Sequence, residues 1–114
     1  MTAQTIISNL PDADELEARI IESLKTVYDP EIPVDIYELG LIYGIHVDPI
    51  GNHADIQMTL TAPGCPVAGS MPEWVENAVR HRAGVESVSV ELVWEPPWTP
   101  ELMSMRAKLE LNML

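Results

Sequence analysis

Cys65 is the only cysteine in the 114-residue chain, and it stands in the stretch Thr59-Leu60-Thr61-Ala62-Pro63-Gly64-Cys65-Pro66. The thiolate, not the thiol, is the nucleophile and the soft metal ligand, so the question is whether this sulfur ionises easily. Its position favours that. An alternating run ends just before it and a helical pattern opens just after it, and a helix N-terminus offers unpaired N–H donors and about half a unit of positive charge to an anion. Pro63 and Gly64 allow the tight turn that would leave the sulfur open to approach. The alternative is a small buried hydrophobe, the fate of many free cysteines.

A second group of chemical interest is the segment Asp29-Pro30-Glu31-Ile32-Pro33-Val34-Asp35-Ile36-Tyr37-Glu38-Leu39-Gly40, with four carboxylates and two prolines. It reads as a polar loop from which two or three carboxylates could converge on one site. Carboxylates beside a thiolate raise its pKa unless a cation lies between them, so a meeting with Cys65 would point to iron or an iron–sulfur species. Asp29 could equally cap its own loop, and Asp35 and Glu38 are expected to be solvated. His46, His53 and His81 have no metal-ligand spacing with one another or with Cys65 and read as surface residues. One thiolate cannot complete a four-cysteine site, so other ligands would come from a second subunit, a client or non-cysteine groups.

The elements that must hold these groups follow from periodicity. Residues 1–12 read as a loose N-terminal arm, and 13–114 as a single domain. Asp12 with Glu15 resembles a capping box, and Leu16, Ile20, Leu24 and Val27 recur at helical spacing, which predicts a helix over 13–28 that stops at Asp29 before Pro30. From Leu41 the period becomes two, with Leu41, Tyr43, Ile45 and Val47 on one face. After the turn at Asp48-Pro49-Ile50-Gly51-Asn52, Ala54, Ile56, Met58 and Leu60 alternate with Asp55, Gln57, Thr59 and Thr61, which predicts an antiparallel hairpin.

A second helix follows Cys65 and ends at Ala83-Gly84. It starts either at Pro66, with Pro72 as a kink, or later, with Ser70 as cap and Glu73 as its partner. Val88, Val90, Leu92 and Trp94 mark a third strand. Trp94 is expected to close the core while Pro96 and Pro97 aim a last helix from Thr99 as cap, through Pro100, to about Leu109. The order α, β, β, α, β, α predicts a two-layer α+β domain with a mixed three-stranded sheet.

The chain has 6 Lys and Arg against 18 Asp and Glu, a formal net charge of −12. That charge repels nucleic-acid phosphates and anionic membranes, so neither is an expected partner. The N-terminal sequence lacks a signal peptide's basic region and apolar core, and no apolar run reaches the ~18 residues of a membrane span, so the expected location is cytoplasmic.

Three stretches together, Tyr28 to Ile45, Met58 to Pro66 and Trp94 to Ser104, resemble the SufT and PaaD-like family of iron–sulfur cluster assembly proteins, related to the eukaryotic cytosolic iron–sulfur targeting component. The resemblance implies a compact α/β domain that assists maturation of iron–sulfur proteins, with functional positions at Asp29, Glu31, Thr61 and Cys65. Of these, Cys65, Asp29 and Glu31 would contact metal. It implies a non-enzymatic factor handling iron or a cluster in transit, with no stable cofactor, and assembly proteins and apoprotein clients as partners. Family members often carry a second threonine after the first, where this chain has Ala62. The Trp94 to Ser104 stretch is similar to the SufT-type branch, and the added cysteines near the end of many PaaD-type members, which serve an aromatic-degradation oxygenase, are absent. A homodimer would bring two thiolates together. The competing reading is a metal-independent adaptor that docks partners through its acidic surface and the Trp94–Trp98 corner.

Overall fold

The computed structural model describes residues 12–29, 32–61 and 70–112. Helix α1, Ala13–Leu24, is capped by the Asp12 carboxylate, which accepts the Glu15 amide at 2.7 Å. It is shorter than its periodicity predicts. Thr26 and Val27 revert to bonds with carbonyls three residues back, and Tyr28 leaves to pair antiparallel with Asp35. A bridge needs extended backbone, so Val27 keeps its place in the core without belonging to the helix.

The segment read as a polar loop is a core element. Val34, Ile36, Leu39 and Leu41 are at most 1% exposed. Ile36 to Leu41 closes as a Schellman-type turn, with the Leu41 amide on the Ile36 carbonyl and the Gly40 amide on that of Tyr37. Gly40 takes φ +83°, and a Cβ there would lie directly against the Leu102 carbonyl.

Strands β1, Ile42–Asp48, and β2, His53–Met58, form the predicted hairpin, and β3, Ser87–Leu92, lies parallel to β2 in the order β1-β2-β3. The expected mixed three-stranded sheet is therefore present, and the central strand is the first to return. The strict alternation predicted for β1 breaks at a bulge. Ile42 stands opposite Met58 and Gly44 opposite Gln57, so Tyr43 is the extra residue and Ile42, not Tyr43, packs on the core.

Helix α2, Met71–Ala83, settles the two predicted starts in favour of the later one, and Pro72 falls in the first turn where its missing N–H costs nothing. Ser70 does not cap through its hydroxyl. Its backbone is already helical (φ −104°, ψ −32°), whereas a capping side chain needs the extended region. Gly84 ends the helix in the left-handed region. Helices α1 and α2 pack together over one sheet face, where Leu16, Ile20, Met71, Val75 and Val79 meet Ala54, Ile56 and Met58, all 0–1% exposed.

The C-terminal segment also departs from expectation. Pro100–Leu102 is a single 3-10 turn, Thr99 makes no side-chain cap, and helix α3 is Met105–Glu110 with the Ser104 hydroxyl accepting the Ala107 amide at 3.1 Å. Trp94 is 39% exposed, so it does not close the core. Trp98 does that work, packed on the cluster with its indole N–H on the Leu39 carbonyl at 2.8 Å. Among the described residues no helix is long and apolar enough to cross a membrane.

Candidate functional site

The chain stays anchored as it leaves β2. The Thr59 amide bonds the Leu41 carbonyl at 2.8 Å, and the Val93 amide bonds that of Met58 at 2.8 Å. Thr59 and Leu60 are buried, and Thr61, one of the four nominated positions, is half-exposed. The anchor on Leu41 sets the threonine segment against the exit of the acidic segment. Both therefore occupy the same end of the sheet, and Thr61 stands four residues before Cys65 in sequence. Cys65, Glu31 and Ala62 lie outside the described residues.

Asp29 is 6% exposed. Its Oδ1 accepts the Ile32 amide at 3.0 Å, and its own amide faces the Val34 carbonyl at 3.4 Å, so it fastens the exit from α1 to Ile32 and Val34.

The other two carboxylates of the segment are not solvated. Asp35 is 9% exposed and its Oδ2 accepts the Glu38 amide at 3.0 Å. Burial pushes its pKa up, Glu38's charge adds to that, and nearby backbone N–H groups only partly offset it. Glu38 bonds the Ser104 hydroxyl with one oxygen and faces Lys25 Nζ at 3.7 Å with the other. Lys25 Nζ lies 5.6 Å from the centre of the Tyr37 ring. These contacts give Asp35 and Glu38 structural duties: one braces a turn and the other ties the acidic segment to the C-terminal helix. Among the described residues no three His, Cys, Asp or Glu side chains group to hold a metal.

Two further groups at this end escaped the sequence reading. The Thr59 hydroxyl is wholly buried and has no hydrogen-bond partner among the described residues. Burial raises the pKa of the Tyr43 phenol, and the Thr59 side chain partly offsets that rise. Tyr43 in turn donates to the Pro96 carbonyl at 2.7 Å. Around it Gly40, Ile42, Val93, Pro96 and Leu102 line a hollow of about 650 Å³. The signal for Tyr43 was Gly44, since a glycine inside a strand pattern marks a bulge.

The histidines are as expected. His81 bonds its own helix at the Asn77 carbonyl, His46 is exposed, and His53 sits between Ser87 and Asp55 on the sheet's open face.

A family model described as iron–sulfur cluster assembly protein matches residues 17–92. A Porphyromonas gingivalis protein named Fe-S protein maturation auxiliary factor is 46% identical over 100 residues, covering 88% of this chain and 94% of that one. The Staphylococcus aureus Fe-S protein maturation auxiliary factor SufT is 38% identical over 86 residues, covering 75% and 97%. In longer proteins a similar stretch is one part: an iron–sulfur cluster carrier protein of Deinococcus radiodurans is 33% identical over 72 residues, 63% of this chain but 20% of its own. The crystal structure of a domain of unknown function from Bacillus anthracis superposes with a TM-score of 0.82 at 38% identity, covering 89% and 95%. The fold and these near-full-length likenesses agree: the chain belongs to the iron–sulfur cluster assembly protein family.

Proposed function

We propose that this protein is an auxiliary factor in the maturation of iron–sulfur proteins, acting without catalysing a reaction of its own. The observation that carries the reading is the near-full-length likeness to proteins named maturation auxiliary factors, on a fold whose Thr59 amide bonds the Leu41 carbonyl just past the acidic segment. The cargo is iron or a cluster in transit. Cys65 supplies a thiolate and Glu31 a hard oxygen donor. Asp29 either adds a second such donor or braces its own segment through the Ile32 amide, and Thr61 hydrogen-bonds the cargo or its ligands. A single thiolate leaves a cluster incompletely ligated, which suits transfer: the remaining ligands belong to the assembly partner or the client apoprotein. Cytoplasmic work among assembly proteins and clients fits this role.

Anaerobic reconstitution with iron and sulfide, comparing the native chain with Cys65→Ser, tests the proposal. The expected result is loss of the visible iron–sulfide absorption and loss of client maturation in cells on Cys65→Ser. Identical spectra and identical client activity would remove the thiol from the mechanism.

The second reading, a metal-independent adaptor, draws on the exposed Trp94. It predicts that capture of assembly partners survives Cys65→Ser and fails on Trp94→Ala. Trp98 is the wrong probe for it, because its indole holds the Leu39 carbonyl and its loss would loosen the fold.

A further inference from the structure

Among the described residues strand β3 is an edge of the sheet, bonded on one side only, to β2. Its register runs from His53↔Ser87 to Met58↔Leu92, with the Ser87 amide on the Asn52 carbonyl and the Val93 amide on the Met58 carbonyl. The N–H and C=O of one strand residue point to the same side, and successive residues alternate. Ser87, Ser89 and Glu91 therefore spend their backbone groups on β2, while those of Val88, Val90 and Leu92 point outward along the free edge. The side chains of these three residues are only half-buried, although their β2 partners Ala54, Ile56 and Met58 are at most 1% exposed.

Proteins normally blunt such an edge with lysine, proline or a bulge. The opposite edge, β1, carries the bulge at Tyr43. β3 has no such device over its 6 residues.

The chemistry of an added strand follows from what it would lie against. Its residues would alternate between the core side, next to Val88, Val90 and Leu92, and the open face of the sheet. That open face carries Asp48, Asp55 and Glu91, all exposed. It carries no Lys or Arg, since all 6 of the chain lie on α1, its C-cap, α2 or α3; its only bases are His46 and His53, the latter facing Asp55 at 2.9 Å. Four of the Lys and Arg already face a carboxylate on the helical side.

We propose that β3 takes up an extended segment of a partner protein in which apolar and basic residues alternate, by strand addition. The backbone row gives the binding and the acidic face gives the selection. A second copy of this chain is the wrong occupant, because two molecules of net charge −12 repel and the copy's own strand brings Glu91 instead of a cation. The inference rests on fold and charge and is independent of the iron chemistry proposed above.

The test is amide hydrogen exchange, read by NMR on the full-length chain with a peptide of alternating lysine and valine. The expected result is slowing by about tenfold or more at Val88, Val90 and Leu92, with Ser89 and Glu91 unchanged because β2 already protects them. Added salt should weaken the effect. Val90→Pro should abolish it while Ser89 and Glu91 stay protected, since the amide it removes points outward; should that variant unfold, the exchange pattern of the native chain decides. No slowing at millimolar peptide would overturn the proposal, as would equal slowing by a peptide of alternating glutamate and valine. Slowing that rises with protein concentration alone would assign the edge to a second copy and overturn it too.

Discussion

The Ser104 hydroxyl donates to the Glu38 carboxylate while its oxygen accepts the Ala107 amide, so one side chain both caps the C-terminal helix and fastens it to the acidic segment. The Ser104 amide adds a bond to the Glu38 carbonyl at 2.8 Å. Ser104→Ala removes a cap and leaves a half-buried carboxylate short of a donor, which should cost about 1–3 kcal/mol in urea unfolding. Glu38→Gln keeps an acceptor and should cost less. An equal loss for both would mean that the Lys25 contact, not the cap, is the stabilising element.

Gly40 is constrained twice, by its left-handed backbone and by the Leu102 carbonyl against the position a Cβ would take. Gly40→Ala should therefore destabilise by about 2 kcal/mol or more, since an L-residue pays for that backbone before any clash is counted. Gly84→Ala is the control: it shares the positive φ but has nothing within 4 Å of the new Cβ. A smaller loss there isolates the Leu102 contact; equal losses would show that contact to be slack.

Asp35 titrates against the usual carboxylate pattern. Its folded pKa is raised, so between the ordinary aspartate value of about 4 and the folded value the native state holds more protons than the unfolded one, and stability falls as pH rises through that window. Asp35→Asn keeps an acceptor for the Glu38 amide and carries no charge. Its stability relative to the native chain should be highest near neutral pH, should decline as pH falls through the window between the folded value and about 4, and should level off below it, by urea unfolding across that range. A difference independent of pH would mean that the Asp35 charge is solvated.

Thr59 buries a hydroxyl with no hydrogen-bond partner among the described residues. Thr59→Val keeps the shape and removes the polar atom, so it should be neutral or stabilise by about 1 kcal/mol in thermal unfolding. If client maturation in cells falls while stability holds, the hydroxyl serves the site. A loss of stability would instead show that it is satisfied in the fold.

The fold class was legible because its signals are local. The helical spacing of Leu16, Ile20 and Leu24, the alternation of Ala54, Ile56 and Met58 and the glycine ending α2 each depend on near neighbours in sequence, and all three recur in the structure. Errors fell where a distant partner decides the outcome. Tyr43 was set on the core face because alternation cannot foresee a bulge. Trp94 and Trp98 exchanged roles because only the tertiary fold brings Leu39 beneath one of them, 59 residues away in sequence.

The same division holds at the site. By itself the sequence determined that one cysteine follows a strand, that carboxylates precede another, and that their motifs resemble an assembly family, because residue type and order carry that information. The tertiary structure decided which carboxylates are spent. Asp35 folds into its own turn and Glu38 reaches Ser104, 66 residues away, because a buried charge must find donors wherever the packing supplies them.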